Sequence, residues 1–149
     1  MSGGNVLAVV LSASAGLAGA VQAAALGRLG NRIGTVQTVA FSTLVAGAVG
    51  VTVLLIARQS LAGIGQGVRQ PLWLWLGGAL SAFIVLSITT ATPRIGVTAT
   101  VSVLIAGNLV MAAFVDRFGW FGVEQLGLTW QRLVGIALLA AGAALILRK

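Results

Sequence analysis

Apolar residues run along this chain in long unbroken stretches, punctuated by short clusters of charged residues, Gly, Pro and Asn. Five stretches stand out, at about Asn5 to Leu26, Ile33 to Ala57, Leu72 to Ala91, Ile95 to Val115 and Leu133 to Leu147. A helix of roughly 20 such residues crosses the hydrocarbon core of a bilayer. The fifth stretch is shorter, and residues 131–147 form a span if Arg132 snorkels outward. Barrel strands would alternate apolar and polar residues, whereas Val51-Thr52-Val53-Leu54-Leu55-Ile56 does not. The pattern predicts an all-α integral membrane protein, a single membrane domain over residues 1–149 with five transmembrane helices.

The punctuation predicts the connections. Gly27 to Arg32 reads as a short link, and Thr92-Pro93-Arg94 as a tight corner, because proline discourages helix at the residue before it. Arg58 to Pro71 and Asp116 to Arg132 read as surface loops, the second holding both acidic residues, Asp116 and Glu124. Trp73, Trp75, Trp120 and Trp130 fall near predicted helix ends, where an indole ring favours the headgroup layer.

Composition sharpens this picture. Of 149 residues, 58% are hydrophobic and 7% charged, against about 25% charged in ordinary soluble domains. Such a chain lacks the polar surface that water requires. The net charge of +7 comes from basic residues scattered singly at helix ends, a pattern of interfacial anchoring rather than of nucleic-acid binding. Arg28 is the first basic side chain and follows the first apolar run, so no cleavable signal is expected.

With five spans the termini lie on opposite faces. Arg58, Arg69, Arg117 and Arg132 then share one face; Arg28, Arg32, Arg94, Arg148 and Lys149 share the other. Four against five is too small a bias to fix orientation. The near-balance suggests dual topology and an antiparallel homodimer, two copies making the inverted repeats that larger transporters encode in one chain. A single orientation fixed by a partner or by the insertion machinery is the other reading.

The chain has no Cys and no His, and the predicted spans hold no Asp or Glu. They therefore lack the side chains of acid/base, thiol or metal chemistry, so neither an enzyme nor a cofactor is expected. The strongest polar intrusions are Gln22, Gln37 and Asn108, whose amides hydrocarbon cannot satisfy. Ser14, Ala18 and Gln22 are spaced by four and share one helix face. Gln22, Ser14 and Asn108 are thus candidate substrate-binding residues. For Gln22 and Asn108, interhelical hydrogen bonding is the competing role. Gln37, near a helix start, reads as interfacial. The 21 glycines, among them Gly77-Gly78 and Gly135 with Gly142, permit close helix packing.

Taken in order, GLAGAVQAAALGRLG from Gly16, PLWLWLGGALSAFIV from Pro71, TPRIGVTATVSVLIAGNL from Thr92, DRFGWFG from Asp116 and RLVGIALLAAGAALI from Arg132 cover nearly the whole chain. Together they resemble the YdcZ-like family of the drug/metabolite transporter superfamily. The resemblance implies a five-helix protein of the bacterial inner membrane, often occurring as paired or fused halves. It implies transport, and export of small organic molecules by a dimer with a midplane cavity is the expectation. The dimer would be of two identical chains, or of this chain with a paralogous half, with membrane lipids and a small-molecule substrate as partners. A non-transporting accessory subunit is the alternative from another class. Gln22 matches the family. Leu26 and Asn108 depart from it, standing where the family usually has Asn and Gln.

Overall fold

The computed structural model describes residues 3–58, 62–122, 125, 127 and 129–147, so Glu124, Arg148 and Lys149 lie outside the described residues. The described residues are helical, with no strand among them. Six α-helices follow in order: α1 (Gly3–Ile33), α2 (Thr35–Arg58), α3 (Ala62–Val68), α4 (Leu76–Ile95), α5 (Val97–Phe118) and α6 (Trp130–Leu147). Short 3-10 turns precede α4 at Leu72–Trp75 and follow α5 at Trp120–Gly122. Among the described residues five segments are long and apolar enough to cross a membrane: Val6–Ile33, Thr35–Ala57, Leu72–Ile95, Val97–Phe118 and Trp130–Leu147.

The connections differ from the sequence expectation: α3 lies within the Arg58 to Pro71 loop, and α5 runs past Asp116 to Phe118. Residues 27–32 are not a link but the last turns of α1, which continues to Ile33. Each glycine in a helix costs up to about 1 kcal/mol, but giving up backbone hydrogen bonds near hydrocarbon costs more. The break comes at Gly34, whose φ of +93° is a conformation that glycine alone adopts freely. Likewise Pro93 does not form the corner. It lies inside α4, and the break falls at Gly96, with φ +85°.

The two glycine joints are built alike. Arg32-Ile33-Gly34 leads to Thr38, as Arg94-Ile95-Gly96 leads to Thr100. In each, the glycine N–H donates to the carbonyl four residues back, and its own carbonyl accepts from the threonine N–H and, at 2.8 Å, from the threonine hydroxyl. Both threonines are buried.

By internal contacts the chain forms two compact units, residues 25–90 and residues 1–24 with 91–149. In the first, α1 meets α4 at Gly30, where a Cβ would stand 2.5 Å from Thr89 Cγ2 and 3.5 Å from its carbonyl oxygen. In the second, α5 packs along α6. The buried side chains are mostly small, including Ala23, Ala99, Ala143, Thr38 and Thr89, as expected where close packing rather than water exclusion joins helices. Large apolar side chains such as Leu17, Val36 and Ile56 point outward, the arrangement lipid solvates.

Candidate functional site

Polar groups on these helices are handled in two ways. Most hydroxyls fold back on their own helix: Thr89 Oγ1 donates to the Val85 carbonyl at 2.7 Å, Thr52 to Ala48 and Ser81 to Gly77, each at 2.8 Å. Such bonds hide a hydroxyl from hydrocarbon without a partner helix. Thr92 Oγ1 is the one buried side-chain oxygen among the described residues with no partner. An amide carries two donors and an acceptor oxygen, more than one such bond can satisfy. Gln22 and Asn108 are both exposed and, among the described residues, neither is hydrogen-bonded.

Ser14 is exposed on the same helix face as Gln22, but its hydroxyl already donates to the Leu11 carbonyl at 2.8 Å, leaving it an acceptor for any ligand. Among the described residues no hydrogen bond joins Ser14, Gln22 and Asn108 to one another. Next to Gln22, Ala23 is fully buried, so the amide sits at the edge of a packed face. Gln37 is exposed, and its Oε1 lies 2.5 Å from where a Gly34 Cβ would be. Leu26 is buried at 6% exposure, an apolar side chain packed inside rather than a group open to a ligand.

Sequence reasoning missed one constellation. Asp116 was expected in a loop beside Arg117, yet both occupy the last turn of α5, which ends at Gly119 in the left-handed conformation (φ +63°). Gln125 Nε2 donates to the Phe118 carbonyl at 3.3 Å, capping the helix end. Arg132 lies in the first turn of α6, and its Nη1 stands 3.5 Å from Asp116 Oδ2. Both side chains are partly exposed, 33% for Asp116 and 46% for Arg132. Opposite charges at the two ends of one interhelical connection were the available signal.

This ion pair stands over a cavity of about 330 Å³ between α5 and α6, walled by Leu109, Ala112, Ala113, Gly135, Ile136 and Leu139. A second cavity of about 180 Å³ shares Leu139 and continues the seam to Ser102 and Ile146. Phe114, Phe118 and Trp120 stack in a ladder at the same end of α5, with ring centroids 6.3 and 5.7 Å apart. Trp73, Trp75, Trp120 and Trp130 are all well exposed, as interfacial anchors are. Among the described residues no group of His, Cys, Asp and Glu is arranged to hold a metal.

The sequence profile of the family described as "putative inner membrane exporter, YdcZ" matches residues 7–145. "Inner membrane protein YdcZ" of Escherichia coli (strain K12) is 29% identical over 120 residues, covering 77% of this chain and 79% of that protein. No solved structure gives a significant match. That family is one of transporters rather than enzymes, and its match spans all five apolar helices. The chain is a multi-pass inner-membrane protein and belongs to the YdcZ family of the drug/metabolite transporter superfamily.

Proposed function

We propose that this protein exports small organic molecules across the inner membrane, working as one membrane domain per chain in a dimer with a cavity between the subunits. The observation that carries this reading is the exposure of the Gln22 and Asn108 amides on segments that cross hydrocarbon. An amide facing lipid is costly, so each requires either a protein partner or a wet cavity. A cavity lined by Gln22, Ser14 and Asn108 from two antiparallel copies supplies both, with hydrogen bonding to cargo and apolar walls around it. None of the three carries a charge, so cargo is held by hydrogen bonds and shape rather than by ion pairing.

The test is flux by the purified protein reconstituted alone in liposomes, after a screen for compounds that raise its thermal stability, since a ligand of the folded state does so. Saturable uptake is expected. Gln22→Ala should lower that uptake about tenfold, the worth of one hydrogen bond to cargo, while the dimer persists. Loss of the dimer in this variant would instead make Gln22 an interhelical contact. Folded dimers that carry nothing across a broad panel would make the chain an accessory subunit, or half of a heterodimeric transporter.

A further inference from the structure

We infer that the seam between α5 and α6 is a binding site for a zwitterionic phospholipid. Its ammonium group is held by Asp116, its phosphate by Arg132, and one acyl chain lies along the two cavities. The site is separate from Gln22, Ser14 and Asn108, and its occupancy does not depend on what the protein transports.

Three observations identify the occupant. The first is depth. Both cavities are lined by Leu139, and together their linings extend from Asp116 to Ser102, over which α5 rises about 21 Å, more than one leaflet's share of about 15 Å of hydrocarbon. The seam can take a whole acyl chain. Its walls are apolar, and Leu138, Leu139, Ile105 and Ile146 are all 43% or more exposed, so the seam is open along one side.

The second is the form of the ion pair. One contact of 3.5 Å uses one of the five guanidinium donors of Arg132 and one oxygen of Asp116. Partly exposed pairs of this kind hold weakly. Both groups therefore keep capacity for a second partner. A purely anionic headgroup would set its charge beside Asp116, and a purely cationic one beside Arg132. A headgroup with adjacent ammonium and phosphate satisfies both, each charge then having opposite neighbours.

The third is level. Asp116 is in the last turn of α5 and Arg132 in the first turn of α6, and the stacked Phe118 and Trp120 flank them. Exposed aromatics at helix ends mark the headgroup layer, where a lipid's charges reside.

The experiment titrates the full-length protein in detergent with dihexanoylphosphatidylethanolamine and counts bound lipid by native mass spectrometry. Dihexanoylphosphatidylglycerol serves as the anionic control and leucine as a soluble zwitterion. The ethanolamine lipid should bind saturably and at least about tenfold tighter than the glycerol lipid, and Asp116→Asn or Arg132→Gln should each cost about tenfold. The exchange of charges, Asp116→Arg with Arg132→Asp, should restore binding, because a zwitterion can reverse. Gly135 lines the seam and a Cβ there meets nothing within 4 Å, so Gly135→Leu should fill it and abolish binding while the helical signal in circular dichroism persists. Equal binding of both lipids, full binding by Gly135→Leu, or no rescue by the charge exchange in a folded protein would overturn the assignment. So would leucine saturating the site in place of the lipid. Liposome flux decides the transporter reading independently of every one of these outcomes.

Discussion

At the scale of single residues, glycines with the same helical backbone do different work. Gly30 lets α1 approach α4 so closely that a Cβ would overlap Thr89 Cγ2, whereas a Cβ on Gly77 would meet nothing within 4 Å. Gly30→Ala is therefore expected to lower stability by about 1–3 kcal/mol, the usual cost of overpacking. Adding Thr89→Ser, which deletes Cγ2 and keeps the hydroxyl bond to Val85, should recover most of that loss. Gly77→Ala should be neutral or mildly stabilising, because alanine is the better helix former. Unfolding in mixed detergent reads all three. Thr89 is also the residue whose carbonyl loses its helical donor to Pro93.

At the scale of elements, the apolar runs disclosed the helices, because only a helix satisfies its own backbone in lipid. The joints were less legible. Pro93 is the loudest breaker in the sequence, yet proline's fixed φ near −65° is a helical value, and it costs one donor rather than the direction of the chain. What ends a helix here is a residue that takes a positive φ, and of the many glycines in the chain the sequence does not mark which do so. The expected consequence falls on Gly96. Its ψ of 162° puts it in a region open essentially to glycine alone, so replacement by Ala should cost about 1–3 kcal/mol through backbone strain, since its Cβ would enter open space. Gly96→Asn should cost about as much, because asparagine tolerates the left-handed helical region and not this one. No loss for either variant in the same unfolding assay would mean that strain does not govern the joint. The candidate site was legible in part. Gln22 and Asn108 announce themselves as lone amides in apolar runs, whereas Asp116 and Arg132 stand sixteen positions apart and meet only once α5 and α6 pack.

At the scale of the whole molecule, the basic residues divide four against five between the two faces implied by five crossings. The proposed dual topology predicts that reporters fused after Lys149 show activity on both sides of the membrane, one requiring the cytoplasm and the other the periplasm. Adding two lysines to one set of connections should drive the population to a single orientation, because short-loop Lys and Arg set the bias. A C-terminus found on one side only would leave a parallel or heteromeric assembly as the arrangement to build on. The charge balance was readable without coordinates. What joins two copies was not, because a face that packs on a second chain and a face that meets lipid are both written in apolar and small residues.

The joint at Gly34 has a mechanical meaning as well as a conformational one. A flexible connection lets two rods turn independently, with the slack absorbing any twist. Here a single residue separates α1 from α2, and it is clamped on either side by hydrogen bonds from its own N–H and to its own carbonyl. A joint this short and this bonded has little slack, so a turn of the end of α1 is expected to reach α2 as a change of its direction rather than be absorbed between them.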